Sequence, residues 1–258
     1  MEIIRDWKYW AIIGVILLVL LVFFFGILQP VKNVVHLINA PSYDSSIGRI
    51  TLLTTIPTEP LNLTFYKVTP RDTDVVQTKE EDSVYPPKDI PSEAEAPIFA
   101  EQILEKYGGV PLDAHIAQVT TEYNDYGKGS KKYPDAVYVD YTRLVDGYQV
   151  VGGNGGLLIL KIGENGKPLW IRKNWQTIIP AGKMDIIPAS TAFEKLKNGE
   201  FIENRPKDLD EYHVDSIGPA YYYFNEGENQ TYLKPVWLFG GSHSDGSGFL
   251  IPIDARIS

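Results

Sequence analysis

Ser242-His243-Ser244-Asp245 holds every residue type of a hydrolytic triad in four consecutive positions. Triad members must converge from separate elements onto one reacting atom, with the base oriented by a carboxylate on its far side. Neighbours within one loop do not achieve that geometry. The surrounding Gly240-Gly241 and Gly246-Ser247-Gly248 have the composition of a connection between strands, and no Gly-x-Ser-x-Gly elbow is present. The four histidines, at positions 36, 115, 213 and 243, show no metal-ligand spacing such as His-Glu-x-x-His. Gly152-Gly153-Asn154-Gly155-Gly156 lacks the Lys-Ser/Thr ending of a phosphate-binding loop and is followed by strand-like sequence, so it reads as a turn or bulge. The expectation is a protein without catalytic residues, cofactor or metal.

The first thirty residues carry the strongest compositional signal. An uncharged apolar run from Tyr9 through Leu28 ends at Gln29-Pro30. Twenty residues at 1.5 Å rise span about 30 Å, the thickness of a bilayer core. Arg5 and Lys8 precede the run, and Lys32 is the only Lys or Arg after it before Arg49, which places the short N-terminus in the cytoplasm and the remainder outside. A cleaved signal peptide is the competing interpretation. The run is longer than a signal core, and no small-x-small cleavage site follows it. The expectation is therefore a single-pass membrane protein, attached through Tyr9–Leu28, with an extracytoplasmic C-terminal part. With no cysteine in the chain, that part has no disulfides and relies on its own core.

A net charge of −9, with acidic residues dispersed and no basic cluster, argues against a nucleic-acid partner. Asn62-Leu63-Thr64 and Asn229-Gln230-Thr231 are sequons, so Asn62 and Asn229 are possible glycosylation sites.

The elements that would position any site follow from periodicity. After residues 1–29, residues 30–91 read as an extended linker containing two strand-like segments, Arg49–Ile56 and Leu61–Val68. A helix is predicted over Ala96–Tyr107 from its apolar stripe, with Ser92-Glu93-Ala94-Glu95 in capping-box form and Gly108-Gly109 as its stop. Asp146-Gly147, between Tyr138–Val145 and Tyr148–Val151, predicts a type I′ hairpin. Leu157–Ile162 and Leu169–Ile179 flank Glu164-Asn165-Gly166-Lys167, a second hairpin. The pattern recurs: a helix opening at Thr191-Ala192-Phe193-Glu194 and ending at Asn198-Gly199, then strands near 212–224, 231–239 and 249–257. This predicts an α+β fold of two tandem helix-plus-antiparallel-meander units, 92–183 and 184–258, each helix covering one face of a sheet.

The tyrosine-rich strand Tyr221-Tyr222-Tyr223, the following Tyr232-Leu233-Lys234-Pro235-Val236-Trp237, and the final Pro252-Ile253-Asp254-Ala255 resemble PepSY-like domains. The layout is similar to YycI and YycH type regulatory proteins, and Asp146-Gly147 and Asn165-Gly166 resemble their preceding unit. The terminal Asp-Ala-Arg departs from the more usual hairpin opening of PepSY units. The resemblance implies a non-enzymatic, membrane-anchored regulator or accessory subunit. Its partner would be a membrane or envelope protein such as a sensor kinase, a peptidase or a membrane complex. A structural cell-envelope component and an extracytoplasmic hydrolase are the alternatives. Because proline cannot donate to a ladder, Pro235 marks Thr231–Phe239 as an edge strand, and Tyr222, Leu233 and Pro235 become the candidate partner-binding residues.

Overall fold

A computed structural model describes residues 40–69, 74–77, 86–127, 129, 131–152, 156–202, 211–225 and 231–257. Within them the chain runs β1 (Ser42–Ser45), β2 (Gly48–Leu52), β3 (Asn62–Thr69), β4 (Asp74–Gln77), α1 (Ala96–Glu105), β5 (Ala114–Asn124), β6 (Tyr133–Val145), β7 (Tyr148–Val151) and β8 (Leu157–Ile162). It continues as β9 (Pro168–Asn174), β10 (Thr177–Asp185), α2 (Ala189–Lys197), β11 (Glu211–Asn225), β12 (Thr231–His243) and β13 (Gly248–Asp254).

Thirteen strands join in one mixed sheet that is organised as two lobes. In the first lobe, β6 lies between β5 and β8, and β8 leads to β9 and β4, all antiparallel. β6 alternates: Val137, Val139 and Tyr141 join Leu158, Leu160 and Ile162 of β8 beneath Ala96, Ala100, Ile103 and Leu104 of α1. The helix start is fixed by Ser92, whose N–H and hydroxyl both donate to Glu95 Oε2 (3.0 and 2.7 Å). It ends where Gly109 N–H donates to Leu104 O (2.8 Å) with Gly108 at φ 85°.

The second lobe is built on the antiparallel pair β11–β12, flanked by β13 and β3, with β10 outside β3. Ala189, Ala192, Phe193 and Leu196 of α2 pack on Ile50, Leu52, Tyr212, Val214, Trp237, Phe239, Ile251 and Ile253. The indole of Trp237 donates to Ile187 O at 2.8 Å inside that core.

The two lobes meet at β7. Asp146 and Gly147 take φ values of 53° and 82°, as a two-residue type I′ turn requires, and fold β7 back along β6. β7 then runs parallel to β11, with Val150 and Val151 opposite Tyr221 and Tyr222. A third apolar cluster seals the junction: Tyr66, Val68, Val145, Val150, Tyr221, Tyr223 and Leu233.

Several expectations are corrected. The α+β fold of tandem helix-plus-antiparallel-meander units gives way to a mainly β architecture with two short helices among the described residues. Two of its pairings, β2–β11 and β7–β11, are parallel. The reason is non-local pairing. Residues 30–91, expected as a linker, supply β2 to β11, β3 to β10 and β12, and β4 to β9. The expected strand Leu169–Ile179 is cut at Trp175-Gln176 into β9 and β10, which belong to different lobes. α2 begins at Ala189, two residues before Thr191, with Ala192 N–H donating to Pro188 O. The single-pass, signal-anchor expectation is corrected as well: no helix among the described residues is long and apolar enough to cross a membrane. The Tyr9–Leu28 run itself lies outside the described residues.

Candidate binding cleft

Both helices cover only one face of their lobe, and the uncovered faces meet beside β7. Strand alternation determines which residues reach that space. On β6 and β8, Asp140, Leu157 and Ile159 point away from the face that carries Val139, Tyr141, Leu158 and Leu160. On β12 and β13, Leu238 and Leu250 point away from the face that carries Trp237, Phe239 and Ile251. These residues, with Val151 and Tyr223, line a cleft of about 390 Å³.

Among the described residues, Asp140 is the one carboxylate lining this cleft. It stands in the middle of β6 between Gln118 of β5 and Ile159 of β8. Its Oδ1 is closed off from solvent and has no hydrogen-bond partner. Burial holds its carboxyl above the usual carboxylate range. Buried polar atoms are nearly always bonded, so an unpaired one in an apolar recess marks a place where stability has been given up.

The cleft walls are held by two polar clamps. Arg143, 4% exposed, donates from Nε to Asp113 Oδ2 (2.6 Å) and from Nη1 to Gln176 O (2.8 Å) and to the Tyr223 hydroxyl (3.1 Å). Trp175 Nε1 donates to the other oxygen of Asp113 at 2.8 Å. At the hairpin tip, Asp146 Oδ2 accepts from the Tyr66 hydroxyl (2.7 Å) and from that of Tyr221 (3.0 Å). Burial, reinforced by that carboxylate, pushes the Tyr66 phenol up to about 12 and raises Tyr221 also. Both clamps join residues of the first lobe, or of the hairpin, to β11, and so fix the cleft's width.

The residues singled out from sequence fall elsewhere. Tyr222 is half-buried, its ring laid over Gly152 and edge-on to Phe224 with centroids 5.2 Å apart. Leu233 is 0% exposed and Pro235 is buried, so neither is open to a partner, and β12 is an interior strand. β3 is in register with Thr231–Leu233 on one side of β12, and β13 takes up that side from Val236. Pro235 sits in the interval, where a missing donor costs no ladder bond. Asn62 is exposed, and its Nδ2 donates to Asp185 Oδ1 at 2.7 Å. Asn229 lies outside the described residues.

Ser242 and His243 end β12, and Asp245 is in the turn to β13. The His243 ring is packed against Tyr212 and Phe249, with centroids 4.7 and 4.9 Å away. Asp245 turns to Ser247, accepting from its N–H (2.9 Å) and hydroxyl (2.6 Å), and those bonds hold its carboxyl below the usual range. The three side chains form no relay.

No protein-family model and no curated protein matches the chain. Among solved structures, the crystal structure of an uncharacterized protein from Eubacterium rectale is similar over 66% of this chain, at 13% identity and a TM-score of 0.36. The match covers 56% of that protein, a little over half its length. Likeness at that level assigns neither fold nor function, and the cleft has to be interpreted from its own chemistry. Asp140 was legible only as one polar position in an alternating strand. The signal available was its place between Val139 and Tyr141, on the face opposite the α1 core.

Proposed function

We propose that this protein is a non-catalytic binding module of the regulatory or accessory kind, and that it recognises a segment of a partner protein in the cleft between its lobes. The observation that carries this reading is Asp140, whose Oδ1 is buried without a hydrogen-bond partner, lining one cleft with Leu157, Ile159, Leu238 and Leu250. One carboxylate with apolar neighbours suits capture. Acid–base hydrolysis of the glycosidase type calls for a second carboxyl group, and nucleophilic catalysis for a nucleophile beside a base. A recess of this size, mostly apolar with few polar groups, has the make-up of a recognition site.

A photo-reactive amino acid placed at Gln149 or Leu250 of the full chain, in the cells that make it, tests the reading. Cross-links to one protein from both cleft positions, and none from the exposed Gln102 of α1, are expected. Equal cross-linking from Gln102, or turnover of a substrate that disappears with Asp140→Asn, overturns it.

A further inference from the structure

We infer that Asp140 is the receptor for a lysine or arginine side chain of the partner segment; this rests on the cleft being the recognition site. A partly exposed carboxylate that lines a largely apolar recess, with Oδ1 buried and unbonded, is best satisfied by a cation that arrives on an apolar stem. The aliphatic part of Lys or Arg covers hydrophobic wall while its head group reaches the charge. Leu157, Ile159 and Leu250 supply that wall, and Leu250 is 57% exposed, so a stem would cover surface now in contact with water.

Among the described residues, the cations of the neighbouring strands do not fill the role. Lys161 pairs with Glu122 at 3.0 Å, and the strand register places Ile159 between Asp140 and Arg172. The net charge of −9 favours the approach of a basic segment over an acidic one.

A protein segment, in preference to a free amine, follows from what borders the recess. Among the described residues β5 pairs with β6 alone, so its outer edge, apart from the Thr121 N–H that donates to Glu93 Oε1, carries main-chain groups able to bond a second extended chain. That strand lines the cleft through Ala117, its bulge residue between Ile116 and Gln118. A segment lying along this border has backbone partners and a carboxylate within reach of one side chain. A free amine has only the carboxylate.

The test uses the full chain and three probes: acetyl-Val-Lys-Val-methylamide, the same peptide with norleucine in place of lysine, and n-butylamine. The Asp140 carboxyl carbon and the Leu238 and Leu250 methyls are followed by NMR. The lysine peptide is expected to shift all three and to bind at least about tenfold more tightly than either other probe. Asp140→Asn should erase that advantage while the protein stays folded, as its own methyl spectrum will report. No response to the lysine peptide up to about 10 mM, a weak-binding limit, overturns the inference. So does an equal response to norleucine, and n-butylamine binding as tightly as the peptide removes the protein side chain as the ligand. Partner cross-links from Leu250 that persist without any lysine dependence leave the cleft as a recognition site and refute the ionic contact alone.

Discussion

Gly152 lies against the ring of Tyr222, so close that a β-carbon at that position would come within 1.9 Å of a ring carbon. Gly152 also has φ +69°, a conformation that side-chain-bearing residues adopt at a cost. Tyr222 therefore serves the seam between β7 and β11. Gly152→Ala is expected to displace the ring and destabilise the protein by about 2–4 kcal/mol, combining overpacking with backbone strain. The denaturation midpoint in urea measures it, and an unchanged midpoint would show that the ring swings aside freely.

Asp140 should make stability fall with rising pH. Its carboxyl is raised by burial, so the native state holds a proton where the unfolded chain, with an aspartate near about 3.9, has lost it. The sign follows: stability is fully present below the unfolded value and declines as pH climbs through the raised folded value. Asp140→Asn removes that decline. Urea melts from acidic to neutral pH should show the variant gaining on the parent as pH rises, and a variant less stable at neutral pH would contradict the assignment.

Replacing Arg143 tests the clamp. Arg143→Leu removes the donor to Asp113 Oδ2 and to the Tyr223 hydroxyl, at a cost of about 2–4 kcal/mol; the full cost of breaking a sealed pair does not apply, because Asp113 keeps Trp175 Nε1 on its other oxygen and 33% of its side-chain surface exposed. Arg143→Lys keeps the charge but loses the fork that reaches Asp113, Gln176 and Tyr223 together, and should recover only part of the stability. Full recovery by lysine would mean that charge alone matters there.

The Ser242-His243-Ser244-Asp245 stretch should divide sharply. His243 is 6% exposed between two aromatic rings, and its alanine variant should lose about 1–3 kcal/mol through lost packing. Ser242→Ala and Asp245→Ala should each shift the melting midpoint less. Sequence composition alone would make all three surface positions of one loop, and equal small effects would restore that view.

Local signals in the sequence carried through into local structure. Asp146-Gly147 makes the hairpin it announces, and the apolar stripe of Ala96, Ala100, Ile103 and Leu104 faces the sheet. Periodicity is silent on which strand lies beside which. Nothing in Gly48–Leu52 marks it as a parallel neighbour of Glu211–Val214, and nothing in Thr177–Asp185 marks it as a partner of β3. Pro235 misleads because a missing N–H is equally harmless at an edge and in the interval between β3 and β13. Asp140 could not be recognised because a polar residue on an alternating strand ordinarily faces water; only the approach of the second lobe turns that face into a recess.

The placement of β2 beside β11 has a consequence for biosynthesis. Leu52 has left the ribosome long before Glu211, its partner strand's first residue, is made. At about 5–20 residues per second the interval is roughly 10–30 s. Through that time β2 can pair only with β1, and β3 awaits both β10 and β12. The first lobe, whose α1, β5, β6, β8 and β9 follow one another closely, can form meanwhile. Translation halted before β11 therefore releases a chain with one lobe made and the β-branched strands of the other unpaired, open to association with other chains.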